Sequence, residues 1–184
     1  MKKPPSSQKA FTLIELLVVI AIIGILMALL FPAINGALNN ARKATAKTDV
    51  VMIASAITAF ENEYGKFPPG GNDTTGSSVQ GDMLTTLMGQ NTTYNPRGIV
   101  FLDIANAMPG KKSGYYDSGG GTPQFVDPWN PPKAYLVMMD INYKGSLPDP
   151  IYPSGNIRKH VLVYSAIPKI SGLDNTNLRV NSWQ

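Results

Sequence analysis

Cysteine is absent from the 184 residues. Disulfides and thiolate metal sites are therefore excluded, and cysteine usage carries no information about the redox compartment. Histidine occurs once, as His160 between Lys159 and Val161. A lone imidazole beside a lysine at the start of a strand-like run reads as solvent-facing, and nothing near it in sequence marks it as a base. No Gly-rich phosphate loop, His-Glu-x-x-His pair or nucleophile elbow occurs, so no enzymatic activity is expected. Charge is scarce as well, at 15% of residues, and from Leu16 to Ala41 there is none. The formal charge of +4 does not point to a nucleic-acid partner: Lys2, Lys3 and Lys9 hold the excess within the first ten residues, and the rest is close to balance.

The chain does contain one long apolar run, Leu16 to Phe31. At about 1.5 Å per helical residue, roughly 20 such residues match a bilayer's hydrocarbon core. One carboxylate, Glu15, stands at the start of the run. Within a membrane such a group costs at least ~2.5–3.5 kcal/mol without a partner; at the headgroup level it would merely be solvated. An ordinary secretory signal is the competing reading of the first thirty residues, but Glu15 would then fall inside its apolar region, which is also longer than signals need.

Lys9-Ala10-Phe11-Thr12-Leu13-Ile14-Glu15 followed by that run resembles the N-terminus of type IV pilins and type II secretion pseudopilins, most closely the major pseudopilin. The resemblance implies a leader of residues 1–10, cut by a prepilin peptidase between Ala10 and Phe11, with methylation of the new amine. Ala10 stands where the family prefers Gly. It further implies that Glu15 is the family's assembly acid, Gly24 its small mid-helix residue and Pro32 its helix-loosening proline. A cut before Phe11 would place a positive amine four residues from Glu15, the partner that a lipid-embedded carboxylate needs. The absent cysteines favour the secretion pseudopilins, because many type IVa pilins close a C-terminal loop with a disulfide.

Downstream, Pro32 and Gly36 interrupt the helix with a kink or a melted turn. Over 36–65 the pattern becomes amphipathic: Ala46, Val50, Ile53, Ile57, Phe60 and Tyr64 form one stripe that predicts burial against a sheet. Gly65 and Pro68-Pro69 end the helix. The segment 66–184 predicts a globular antiparallel-sheet domain with long loops. Asp82 is expected to cap a helix over Met83–Met88 closed by Gly89. Ile99–Leu102, Tyr135–Met139 and Val161–Tyr164 read as strands, Pro109–Thr122 as a loop and Pro148–Gly155 as a connection. Asp127-Pro128-Trp129-Asn130-Pro131 resembles a turn of the major pseudopilins, with Trp129 as its anchor, and Ser182-Trp183 resembles the family's closing dipeptide.

No cofactor is expected, and the single cation to consider is calcium. Asp140–Gly145 echoes half of an alternating-oxygen loop, but Lys144 replaces a ligand, so a hairpin turn is expected there. The resemblance places the family's calcium loop at Ser171–Asn177, where Asp174, Asn175 and Asn177 are the candidate ligands and Arg179 falls on a ligand acid. One carboxylate implies low affinity; the alternative is a polar loop held by Asx turns.

The expected architecture is α+β and pilin-like. A long N-terminal helix is transmembrane over 11–35, and its second half packs on a small antiparallel sheet. The implied function is that of a structural pseudopilus subunit, single-pass in the cytoplasmic membrane with the globular part outside. Its partners would be like subunits, minor pseudopilins, the peptidase and an inner-membrane platform. A type IV pilus subunit for adhesion, motility or DNA uptake, and a membrane-anchored binding module, are the alternatives.

Overall fold

The structure, a computed structural model, describes residues 11–104, 114–116, 122–129, 131–152, 154–166, 169–170, 173–174 and 179–183. The chain divides into two compact units, Met1–Asn40 and Ala41–Gln184. Helix α1 (Leu13–Tyr64) contributes to both.

In the first unit, α1 is not covered by any other described residue. Its apolar side chains from Leu13 to Leu38 are exposed, with Leu29 at 72% and Phe31 at 64%. An 18-residue window of this helix is apolar enough to cross a membrane, and none of it is buried. α1 is helical without interruption through Pro32 and Gly36, so the expected melted turn is not what a single subunit adopts. The proline removes one backbone donor, yet the helix runs on past it to Tyr64.

In the second unit the periodicity is borne out. Ala46, Val50, Ile53, Ile57 and Phe60 are fully buried, and Tyr64 packs half-buried beside them. Gly65 closes the helix at φ +64°, its amide donating to Glu61 O at 2.8 Å, the left-handed terminus that glycine adopts at no steric cost.

The stripe shares its core with a three-stranded antiparallel sheet ordered β1 (Ser77–Ser78), β4 (Leu136–Met139) and β7 (Val161–Tyr164). Both faces of β4 and β7 are covered. Val137, Met139, Val161 and Val163 join the main core, while Met138, Leu162 and Tyr164 form a second cluster with Leu147 and Trp183. Three two-stranded ladders complete the described elements: β2 (Gly114–Tyr116) with β3 (Gln124–Val126), β5 (Leu147–Pro148) with β6 (Asn156–Ile157), and β8 (Lys169–Ile170) with β9 (Leu173–Asp174).

Several local expectations are corrected. Helix α2 spans Gly81–Leu87, with Gln80 as the residue before its first turn and no side-chain cap. Asp82 lies inside that turn, where its Oδ1 accepts from Asn91 Nδ2 at 3.2 Å. Gly89 does close the helix, at φ +75°. Ile99–Leu102 is not a strand: the Phe101 and Leu102 amides both donate to Leu87 O, at 2.9 and 3.0 Å. An open helix-end carbonyl captures the segment instead of a strand neighbour. Part of the expected loop Pro109–Thr122 is β2, and the Pro148–Gly155 connection is flanked by the β5–β6 ladder.

The end of the described chain seals the sheet. The Ser165 amide donates to Val180 O and the Ser182 amide to Val163 O, with Asn181 bridging Tyr164. Trp183 meets Tyr164 edge-on at 6.1 Å.

Candidate functional site

Ala10 lies outside the described residues. Phe11, the expected new N-terminus, is 81% exposed. The next residue holds a signal that hydropathy alone passes over. Thr12 precedes the first helical residue, and its Oγ1 accepts from the Glu15 amide at 3.3 Å. Glu15 Oε2 in return accepts from the Thr12 amide and hydroxyl, each at 2.8 Å. This is a capping box, two helix-start donors satisfied reciprocally, and Thr-x-x-Glu ahead of an apolar run is its sequence signature. The carboxylate therefore sits over its own helix start, facing the end of the chain that cleavage would expose.

Gly24 and Gly36 stand on α1 with nothing within 4 Å of where a Cβ would lie. Neither residue makes room for another described part of the same subunit. Such glycines cost about 1 kcal/mol each relative to alanine in a helix. Pro32 is helical backbone, as described above.

The Asp-Pro-Trp turn is a structural anchor. Asp127 Oδ1 accepts from the Trp129 amide at 3.3 Å and from the Lys133 amide at 3.0 Å, and Trp129 is 3% exposed. Beneath it, Tyr135 Oη donates to Asp49 Oδ2 of α1 at 2.7 Å. Burial pushes the Asp127 carboxyl up to about 6, against the pull of the two amides and Lys133, with Asp49's charge adding to the rise. Burial also raises Asp49, partly countered by the tyrosine hydroxyl. Tyr135 is raised as well, first by burial and then by Asp49. Two acids and a phenol are thus raised together by burial, in the place where the turn packs on α1.

The segment Asp140–Gly145 is a turn. The buried Asp140 carboxylate accepts from the Lys144 and Gly145 amides at 2.8 and 2.7 Å, while Asn142 and Lys144 both reach Asp73 Oδ2. Those two contacts, the amide first, lower the Asp73 carboxyl. His160 is exposed as expected, and its Nδ1 lies 3.4 Å from Asp140 Oδ2, a proximity separated in sequence and invisible there.

Of the calcium candidates, Asp174 is on β9, while Asn175 and Asn177 lie outside the described residues. Among the described residues no three His, Cys, Asp or Glu side chains converge to hold a metal.

Comparison with known proteins adds the following. A family model described as "Prokaryotic N-terminal methylation motif" matches residues 5–31, the stretch that holds Phe11, the capping box and the start of the exposed helix. The chain is similar to the type II secretion system core protein G of Pseudomonas aeruginosa, 33% identical over 130 residues, which is 71% of this chain and 74% of that protein. It is also similar to a fimbrial protein of Neisseria meningitidis serogroup B, 33% identical over 57% of this chain and 63% of that one. A third relative is the core protein G of Escherichia coli K12, 32% identical over 50% of this chain and 61% of that one. The chain thus spans somewhat less than two thirds of the latter two. No solved structure matches it.

Proposed function

The chain belongs to the family of the type II secretion system core protein G, and from that membership we propose that it is a structural subunit of a secretion pseudopilus. A prepilin peptidase cuts between Ala10 and Phe11 and methylates Phe11. The apolar half of α1 then anchors the subunit once through the cytoplasmic membrane, with the second unit on the outer side. Like subunits, minor pseudopilins and an inner-membrane assembly platform are its partners.

One observation carries the reading: the methylation motif leads directly into a helix whose apolar side chains, Leu13 to Leu38, are left exposed by the described residues. Surface of that extent must be covered. Lipid covers it before assembly and the same helix of neighbouring copies covers it afterwards. Because both environments are similarly apolar, leaving the membrane need not expose the helix to water. Glu15 then selects register. Its carboxylate moves from its own helix start to the Phe11 amine of an adjacent subunit, since a buried unpaired charge is strongly destabilising. Asp174, Asn175 and Asn177 would at most bind calcium with low affinity, given a single carboxylate.

The mass of the mature N-terminus tests the processing step: methylated Phe11 is expected, and material beginning at Met1 would overturn it. The similarity to a fimbrial protein favours a type IV pilus subunit as the second reading. Deletion separates the two. Loss of protein secretion supports the pseudopilus; loss of long surface fibres with secretion intact supports the pilus.

A further inference from the structure

On α1, the face turned away from the buried stripe borders an open groove of about 1150 Å³ within the second unit. Val51, Ser55 and Thr58 line it, together with the two cations Arg158 and Lys159, the imidazole of His160 and a single carboxylate, Glu61. Val51 is 46% exposed, and Arg158 and Lys159 are exposed. Among the described residues neither cation has a carboxylate within ion-pair distance. Elsewhere on the same unit is a patch of complementary character. Val100 is 59% exposed, and Asp103, exposed beside it, has no ion-pair partner among the described residues. The segment between them is tied to α2 by the Phe101 and Leu102 amides, which both donate to Leu87 O.

We propose that the groove receives the Val100–Asp103 segment of a second copy of this chain, Val100 lying on Val51 and Asp103 meeting Arg158 and Lys159. The two patches are different surfaces of one molecule, so the contact is heterologous and cannot close as a two-fold dimer; it runs head to tail, which under the assembly reading above continues as a filament. The charge pair fixes which neighbour is accepted and in which orientation. This inference rests on the assembly reading above and names a contact made by the second unit, additional to the packing of the apolar helices.

The absence of cysteine makes the test clean. Full-length, processed subunits carrying both Lys159→Cys and Asp103→Cys are assembled and treated with a short bismaleimide. A ladder of covalent dimers, trimers and higher species is expected, whereas either single variant gives no ladder. In parallel, Asp103→Lys and Lys159→Asp should each lower filament yield on the order of tenfold through like-charge contact, and the double exchange should restore it. Filaments of normal yield from both charge variants, with no ladder from the double-cysteine protein, would overturn the inference and leave the assembly reading standing. Crosslinking of Lys159→Cys to a different protein in place of a second copy would overturn it too. If wild-type subunits form no filament at all, the assembly reading itself fails and this contact with it.

Discussion

Asp127→Asn isolates one buried charge without removing the bonds around it. Asparagine keeps an oxygen able to accept from the Trp129 and Lys133 amides and gives up only the ionisation. In the folded chain burial holds the Asp127 carboxyl at about 6, above its ordinary 3.8. A tenfold change in proton affinity is worth about 1.4 kcal/mol, so roughly 3 kcal/mol of folding free energy is linked to this proton. The folded state binds it more tightly than the unfolded state. The contribution is therefore fully present below the unfolded value and is lost as pH rises through about 6. Wild-type protein in detergent micelles should lose stability between about pH 4 and pH 6, with Asp49 acting in the same direction. Asp127→Asn should flatten that slope. At about pH 7 it should be the more stable protein, by up to roughly 3 kcal/mol less the cost of any unmatched amide hydrogen. Denaturant unfolding followed by tryptophan fluorescence at several pH values measures both quantities. An unchanged slope, or equal destabilisation at every pH, would refute the account of Asp127 as a buried charge with insufficient compensation.

Four further outcomes follow from the described contacts. Glu15→Ala should be processed and fold normally in its second unit yet fail to assemble; wild-type filament yield in electron micrographs would remove the register role. Trp129→Ala should destabilise by about 3–5 kcal/mol, because a large buried side chain leaves a cavity, seen as a lowered unfolding midpoint. Gly89→Ala places a Cβ at φ +75° and 2.8 Å from Gly98 O, so a loss of about 2 kcal/mol or more is expected in the same assay. Removing calcium with a chelator should leave the unfolding midpoint unmoved, since one carboxylate gives low affinity; a large downward shift would count against that.

What the sequence disclosed depended on how local the cause was. The stripe from Ala46 to Tyr64 is a matter of spacing along one helix, and it came out buried at each fully apolar position. The Asp-Pro-Trp turn and the strands β4 and β7 were legible for the same reason. The pairing of Asp49 with Tyr135 joins residues 86 apart, and that of His160 with Asp140 depends on strand register, so neither leaves a trace in composition or spacing. Ile99–Leu102 misled because four apolar residues satisfy a strand pattern equally well when they are docked on a helix end. Thr12 is a different case: Thr-x-x-Glu ahead of an apolar run is a capping-box signature, but in sequence Glu15 reads as a lipid-embedded acid that needs the Phe11 amine.

The sheet has consequences for what this chain avoids. Its β1 edge has only two paired residues, Ser77 and Ser78, next to Gly76, and its β7 edge is occupied by residues 180–182. Long bare strand edges recruit other strands indiscriminately, a hazard that grows when many copies crowd one membrane. Among the described residues, this sheet therefore offers a neighbour no long bare edge to extend. A subunit that assembles through its helix would thus keep its central sheet out of strand-to-strand association.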